Sequence, residues 1–159
     1  KLKNKDQIGK ALGRVPSGLF IVTAKNGDQE DAVLVSWVNQ CSFEPPAVSV
    51  VLAQNRPARS LIETSGAFIV NVVGSDTEGL LKTFCKGSPD VSVLNEIPTK
   101  KGHKGIAILE DAVSYLECKV INHVAVGDHV IYIGEIVGGD MLNEEEKPYI
   151  HTRSSGFKY

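Results

Sequence analysis

The sequence predicts a mainly β protein in which an antiparallel sheet closes, fully or partly, into a barrel with short helices. About seven apolar runs carry the strand pattern, and two or three short helical segments lie among them. Most connections are short, which favours antiparallel neighbours. A doubly wound fold needs a helix between nearly every pair of strands, so the order of segments argues against one.

The amino-terminal segments predict a helix followed by a β-hairpin. Asp6 suits the N-cap of a helix that runs to Leu12, and Gly13 suits its end. The apolar run Gly18 to Ala24 predicts the first strand. Asn26 and Gly27 form the pair most typical of a tight hairpin turn. The second strand is therefore expected from Asp31 to about Val38.

The middle of the chain alternates strands with short helices. Pro57 suits the first turn of a helix, and Asp76 can cap another, in which Leu80, Leu81 and Phe84 recur at helical spacing. The predicted elements are a strand at Ala47–Leu52, a helix at Pro57–Thr64, a strand at Ala67–Val73 and a helix that ends near Gly87.

A long polar segment, Ser88 to Gly105, separates these elements from the last strands, and its length predicts a surface loop. The run that ends at Val126 is long for one flat strand, which predicts a bend or bulge on a barrel wall. The last predicted extended segments are Ile106–Leu109, Ala112–Val126, His129–Gly138 and Pro148–Thr152.

Length and charge limit the classes of function. A chain of 159 residues fits one domain, and its start at Lys1 predicts a piece excised from a longer multidomain protein. A net charge of -2 without blocks of like charge argues against nucleic acid as a partner. No apolar run reaches the roughly 18 residues of a membrane span, and the amino terminus lacks the apolar region of a signal peptide, which predicts a cytoplasmic protein.

Common catalytic and metal-binding motifs are absent from the sequence. Cys41, Cys85 and Cys118 are odd in number and far apart, and the four histidines lack metal-ligand spacing, so neither a disulfide framework nor a metal site is expected. No GxGxxG, phosphate-loop or GxSxG pattern is present. A bound nucleotide would therefore be held by another kind of site.

The segment Val33–Leu52 offers such a site, because two apolar runs flank a polar elbow that ends at Pro45 and Pro46. Hydrogen-bonding groups stand there beside the flat indole of Trp37, a combination that suits a planar heterocycle such as a flavin. The polar side chains of the elbow are Ser36, Asn39, Gln40 and Ser42.

A second polar group follows the next strand. Gln54, Asn55 and Arg59 surround the start of the helix predicted at Pro57, where free amides and a guanidinium suit one phosphate group. The residues alone leave the alternative open that Asn55 only caps a helix and that Trp37 belongs to the core.

Five ordered blocks of sequence resemble the flavin reductase family with the FMN-binding split barrel. The blocks are the elbow with FEPP at its end, AVSVVLA, GAFIVNVV, FCKG and GDHVIYIGEIVGG, and the similarity as a whole covers nearly the whole chain from Leu12 to Tyr159. Within that family, SWVNQCSFEPP is similar to the carboxy-terminal flavin reductase module of the flavodiiron proteins of oxygenic phototrophs, which include cyanobacteria.

The resemblance implies a fold, a cofactor and a reaction. The fold would be an FMN-binding split β-barrel of antiparallel Greek-key type. The protein would be an NAD(P)H-dependent oxidoreductase that binds FMN, or alternatively FAD, takes hydride at flavin N5 and passes electrons on. The acceptor would be the flavodiiron core modules of the same polypeptide, which reduce oxygen to water. A homodimer would complete the site.

The resemblance also implies roles for individual residues. The isoalloxazine edge would be lined by Ser36, Trp37, Val38, Asn39, Gln40 and Cys41, and the phosphate end by Ala53, Gln54, Asn55 and Arg59. Phe84 and Lys86 would approach from the following helix, and His129 would be the catalytic residue on the nicotinamide side.

Several alternatives stay open. His129 also fits a histidine whose hydrogen bonds are satisfied at a strand end. Tyr149, Arg153 or Tyr159 fits a cover for the flavin, a support for a dimer or a surface tail. The domain could instead be an FMN-binding electron-transfer module without nicotinamide activity, or a structural barrel without a cofactor.

Overall fold

The computed structural model describes residues 1–76, 84 and 92–159, and strands dominate them. The helices are α1 (Lys5–Gly13), α2 (Ala58–Ser65), the short α3 (Ser92–Asn95) and a 3₁₀ turn at His103–Gly105. The strands are β1 (Phe20–Asn26), β2 (Gln29–Val35), β3 (Val38–Ser42), β4 (Ala47–Ala53), β5 (Ala67–Val72), β6 (Thr99–Lys101), β7 (Ala107–Leu109), β8 (Ser114–Val126) and β9 (His129–Met141).

Seven strands form one antiparallel sheet in the order β2-β1-β5-β8-β9-β4-β3. The two edge strands, β2 and β3, are consecutive in the chain and are joined only by Ser36 and Trp37. Because two residues cannot span a flat seven-stranded sheet, the sheet curls until its edges meet. The backbone N–H of Val51 then donates to the Trp37 carbonyl at 3.0 Å beside this joint. The predicted antiparallel barrel is confirmed.

The barrel interior is built from alternate residues along each strand. Val22 and Ala24 face inward on β1, and Val33 and Val35 do so on β2. The helix α2 contributes to the same core. Its other buried members include Val48, Val50, Leu52, Leu61, Ile62, Phe68, Val70, Cys118, Val130 and Tyr132. Burial raises the pKa of the Cys118 thiol to about 12, as expected for a buried cysteine in an apolar strand.

A second apolar layer covers the outside of β1 and β5, so that residues 67–71 of β5 are all buried. Asn71, with no exposed surface, joins this layer to the sheet. Its Nδ2 donates to the Ile21 carbonyl at 2.9 Å, and its Oδ1 accepts from the Leu109 N–H at 2.9 Å. The β6–β7 pair is thereby held against the barrel wall.

The elbow differs from the sequence prediction. The second strand was expected to reach Val38, but β2 ends at Val35, and β3 begins at Val38 after a two-residue corner. The polar residues Asn39 and Gln40 lie in β3, paired with β4, and the turn occupies residues 43–46. The prediction was wrong here because β3 is an exposed edge strand whose polar side chains hide its strand character.

The polar segment from Ser88 to Gly105 also differs from its predicted form. Its described part contains α3, β6 and the 3₁₀ turn, because β6 finds a partner in β7. Residues 88–91 of this segment lie outside the described residues, as does most of the helix predicted between Asp76 and Gly87. Within that predicted helix, Phe84 is described and is buried in the second apolar layer.

Other predictions are confirmed. The hairpin at Gly27, whose φ is +61°, and helix α1 lie where expected. The predicted cap of α1 was wrong, however: the N-cap is Asn4, Asp6 lies in the first turn, and Gly13 is the last helical residue. The register of β8 shifts at Glu117/Cys118 and again at Val120/Asn122, which are the predicted irregularities in a long strand. Instead of a final strand, residues 148–152 make isolated bridges through Pro148 and His151. Among the residues described, none of the helices is long and apolar enough to cross a membrane.

Candidate functional site

The half-buried side chain of Trp37 leaves the barrel at the joint between β2 and β3 and meets three other side chains. Its ring centroid lies 4.7 Å from that of His129 and 5.7 Å from that of Tyr159, and the guanidinium carbon of Arg153 lies 5.3 Å from it. We call Trp37, His129, Arg153 and Tyr159 the aromatic corner. Trp37 therefore lies at the surface of the barrel, outside its core.

His129 is held at both ring nitrogens. It is the first residue of β9, where it pairs with Ala53 of β4. Its Nδ1 lies 2.6 Å from a carboxylate oxygen of Asp128, and its Nε2 is hydrogen-bonded to the hydroxyl of Tyr159. The bond to His129 lowers the pKa of the Asp128 carboxyl. These contacts orient the imidazole within the aromatic corner.

The carboxy-terminal segment that carries Arg153 and Tyr159 is docked on α1. The N–H of Arg153 donates to the Gly13 carbonyl at 2.9 Å, and the N–H of Gly156 donates to the Gly9 carbonyl at 2.7 Å. Gly9 and Gly13 lie four residues apart on one face of the helix. A Cβ at Gly13 would overlap the carbonyl oxygen of Arg153, so this approach depends on glycine.

Two cavities open beside the aromatic corner. One, of about 220 Å³, is floored by apolar side chains such as Leu19 and Leu52, and its polar lining consists of Ser36, Arg56, His151 and Tyr159. The other, of about 440 Å³, is lined by members of the corner together with Val126, Asp128, Ile131, Gly156, Phe157 and Lys158. Trp37, Val51 and Tyr159 border both cavities.

The chemistry of the lining limits what these cavities can bind. Apolar floors and an exposed indole face suit a planar aromatic ring, and the guanidinium of Arg56 suits an anionic group such as phosphate. Burial, together with the charge of Arg153, lowers the pKa of His151, which favours its neutral form. Among the described residues, no group of three or more His, Cys, Asp or Glu side chains could hold a metal ion.

Arg59 lines neither of these two cavities and is instead bonded to other residues of the protein. Its Nε donates to the hydroxyl of Tyr132 at 2.9 Å, its Nη1 donates to the carbonyl of Gln54 at 2.9 Å, and its Nη2 lies 3.6 Å from Glu63. The bond to Tyr132 raises the pKa of Arg59. Arg59 thus braces the turn after β4, while Arg56 lines the smaller cavity.

The structure brings part of the predicted site together. Ser36, Trp37, Ala53 and His129 border the cavities. The other predicted residues are absent from the linings: Val38, Asn39, Gln40 and Cys41 lie on β3, Gln54 donates to the Gly127 carbonyl at 3.0 Å, Asn55 is exposed, and Phe84 is in the core. Lys86 lies outside the described residues.

Sequence reasoning missed Arg56 and His151. Arg56 and Arg59 both flank Pro57, and no local pattern tells which of the two faces a cavity. His151 reaches the smaller cavity through a backbone pair with Ser17, whose N–H and carbonyl bond to His151 at 2.9 and 2.7 Å. Only a contact between distant segments could reveal it.

The family described as "Flavin reductase like domain" matches residues 12–158. A relative from Nostoc sp. in the diflavin flavoprotein A series is 35% identical over 154 residues, which cover 96% of this chain and 27% of that protein. Diflavin flavoprotein A 1 of Synechocystis sp. is 34% identical over 162 residues, covering 100% of this chain and 28% of that protein. The chain spans about a quarter of the length of these relatives.

Solved structures share the fold. An NADH:FAD oxidoreductase of Streptomyces globisporus superposes with a TM-score of 0.85 at 21% identity, covering 96% of this chain and 91% of that one. An FMN-binding protein from Thermus thermophilus superposes with a TM-score of 0.74 at 20% identity, covering 80% and 73%. The predicted split-barrel fold and the predicted relation to the flavodiiron proteins are confirmed. The chain belongs to the flavin reductase like domain family.

Proposed function

We propose that this chain is an NAD(P)H-dependent flavin reductase module that binds FMN and passes its electrons to a further acceptor. The observation that carries the proposal is the pair of cavities at the aromatic corner, one of which combines an apolar floor with the guanidinium of Arg56. Membership of the flavin reductase like domain family supports it. The NADH:FAD oxidoreductase of Streptomyces globisporus keeps FAD as the alternative flavin.

The residues present fit a flavin mononucleotide. Trp37 and the apolar floor offer surfaces for the planar ring system, and Ser36 offers a hydroxyl at its edge. Arg56 lies between β4 and α2 and lines the smaller cavity, so its guanidinium would hold the phosphate there. Arg59 would support this site indirectly, because it donates to the Gln54 carbonyl in the same turn.

When bound, a flavin accepts hydride from a reduced nicotinamide at N5 and gives up electrons singly or in pairs. The protein's own residues would position the two rings and exclude water from them. The apolar floor would exclude water from the ring, and Arg153 lies over the ring of Trp37 and adds positive charge beside the site. His129 lines the larger cavity, and its Nε2 is bonded to the hydroxyl of Tyr159. Such a reaction depends on ring placement more than on a strong acid or base.

The proposed acceptor is a flavodiiron core in the same polypeptide. The diflavin relatives are about four times as long as the region that this chain matches. In that setting the module would deliver electrons in the cytoplasm to a partner module that reduces oxygen to water. A direct test compares NAD(P)H-driven oxygen uptake by the full-length protein with uptake by a form that lacks residues 1–159.

The module is also proposed to form a homodimer. Three apolar side chains near the tip of the β8–β9 hairpin, Ile121, Val124 and Val126, are 49–55% exposed. Burying such a patch against a second copy would remove it from water. Sedimentation equilibrium should give twice the 17.1 kDa chain mass, whereas a monomer at micromolar concentration would contradict the proposal.

Two spectra test the main proposal. Purified protein mixed with FMN should retain flavin absorbance after gel filtration, and anaerobic NADH or NADPH should bleach it within the time of mixing. Retained flavin without bleaching would instead support an FMN-binding electron-transfer module, which the bond between Tyr159 and His129 favours because it occupies Nε2 of His129. No retained flavin and no NAD(P)H oxidation with added FMN would overturn both functions.

A further inference from the structure

The wall between the two cavities consists of side chains that differ in how firmly they are held. Trp37 is half-buried at the barrel joint, and Val51 is part of β4. Tyr159, in contrast, is 65% exposed. Its removal from the wall would disturb no core cluster, since it belongs to none of them. The smaller and larger cavities would then join beside Trp37 and His129.

The anchoring of the carboxy-terminal segment shows where such a movement can begin. The last backbone bond to α1 is the one from Gly156 to Gly9, three residues before Tyr159. Beyond it, Nη1 of Arg153 donates to the carbonyl of Lys158 at 2.9 Å. Tyr159 therefore lies three residues beyond the last backbone bond to α1. Arg153 connects these residues to the ring of Trp37.

The contacts that hold Tyr159 are an aromatic contact and a hydrogen bond. Its ring is inclined by 40° to the indole of Trp37, with centroids 5.7 Å apart, and its hydroxyl bonds to Nε2 of His129. A nicotinamide offers the same pair of groups, a planar ring and a carboxamide that hydrogen-bonds beside it. A ligand of this kind could replace both contacts, which individually are modest.

We propose that Tyr159 is a movable cover that occupies the nicotinamide position against Trp37 and His129, and that the hydride donor binds by displacing it. This inference rests on the proposed function as a flavin reductase. Displacement joins the two cavities, so that the donor ring reaches the side of the site that holds the flavin. Only molecules in which Tyr159 is displaced can then bind the donor, so the apparent affinity for the donor is reduced in proportion to the fraction of such molecules.

The experiment uses FMN-loaded protein and titrates it with NAD⁺ or NADP⁺, which bind without reducing the flavin. Because Trp37 is the sole tryptophan, its fluorescence reports events at the wall. Tyr159→Ala removes the ring and the hydroxyl, Tyr159→Phe removes the hydroxyl only, and Phe43→Ala is a control at an aromatic side chain that is 90% exposed and lines neither cavity. Acrylamide quenching of Trp37 without ligand gives a second readout.

Displacement predicts a dissociation constant for the oxidised nucleotide that falls at least about fivefold in Tyr159→Ala and by a smaller factor in Tyr159→Phe. Acrylamide should quench Trp37 more strongly in Tyr159→Ala than in the wild type. Phe43→Ala should change neither quantity. Tighter nucleotide binding in Tyr159→Ala supports the cover even if the wild type binds too weakly to measure.

Equal or weaker nucleotide binding in Tyr159→Ala overturns the cover, as does the absence of nucleotide binding by every variant. FMN retention, followed by flavin absorbance in the same samples, separates these failures. Retained FMN with unchanged nucleotide binding removes the cover and leaves the flavin site intact. Loss of FMN from all variants, the control included, removes the proposed function and the cover together.

Discussion

The Nε–H of Arg59 donates to the hydroxyl of Tyr132 at 2.9 Å, and Tyr132 is completely buried in the barrel. Burial raises the pKa of the Tyr132 hydroxyl and keeps it neutral, and the guanidinium supplies its hydrogen-bond donor. Arg59 therefore connects the end of the barrel core to the turn after β4. Arg56, three residues earlier, lines the smaller cavity.

This division between two arginines predicts different consequences of their loss. Arg56→Ala should weaken FMN binding by the worth of a charge-assisted phosphate contact, about 1.5–3 kcal/mol. Arg59→Ala should lower the free energy of unfolding by about 1–3 kcal/mol, because a buried hydroxyl loses its partner. Flavin titration and urea denaturation of both variants measure the two effects.

Tyr132→Phe provides the matched control for Arg59, since it removes the same hydrogen bond from the other side. In a double-mutant cycle, the losses of stability from Arg59→Ala and Tyr132→Phe should be less than additive. If Arg59→Ala instead weakened FMN more than Arg56→Ala at unchanged stability, Arg59 would be the phosphate residue, as the sequence predicted.

Gly13→Ala should undock the carboxy-terminal segment. Alanine normally stabilises a helix relative to glycine by about 1 kcal/mol, but here its Cβ would overlap the carbonyl oxygen of Arg153. The expected result is a loss of stability and greater acrylamide quenching of Trp37, because the segment that carries Arg153 and Tyr159 moves away. Gln7→Ala, at an exposed position of the same helix, should change neither. A more stable Gly13→Ala protein would contradict this packing.

Asn71→Ala should be among the most destabilising polar substitutions. It removes a donor to the carbonyl of Ile21 and an acceptor from the N–H of Leu109, both in buried surroundings. Leaving such groups without partners costs about 1–3 kcal/mol each, so a total near 3 kcal/mol is expected in urea denaturation. Asn122→Ala, at an exposed position, should stay within about 0.5 kcal/mol of the wild type. Equal effects of the two substitutions would argue against the network.

Acid should weaken the docking of the carboxy-terminal segment through His151. Its pKa is lowered below the ordinary value of 6.5 by burial and by Arg153, so the unfolded chain takes up the proton first as the pH falls. The neutral imidazole contributes its stability above pH 6.5, and this contribution is lost as the pH drops through the lowered pKa. His151→Gln should therefore lose less stability than the wild type between pH 7.5 and pH 5. Parallel curves for the two proteins would exclude this role.

Much of the fold follows from local sequence. The alternation of apolar residues predicts the strands that enclose the core, and Asn26 with Gly27 predicts the first hairpin. The excess length of the apolar run that ends at Val126 predicts the irregularities found in β8. These features depend on neighbours within a few residues or on a period of two, and both can be read along a chain.

The missed features depend on partners that are far away in sequence. β3 is a strand because β4 offers it a ladder, although its side chains are largely polar and exposed. β6 is likewise a strand because β7 pairs with it. Side chains of an edge strand are packed on few neighbours, so the alternation of apolar and polar residues in such a strand is weak.

The sequence by itself determined the antiparallel barrel, the family and the position of Trp37 in the elbow, and the resemblance to the family implied a role for His129. Only the tertiary structure decided that Arg56 rather than Arg59 lines the smaller cavity, and that the segment from His151 to Tyr159 returns to α1 and meets Trp37. The physical reason is that strand patterns record whether a side chain is buried. They do not record which distant segment buries it, and the site is made where such segments meet.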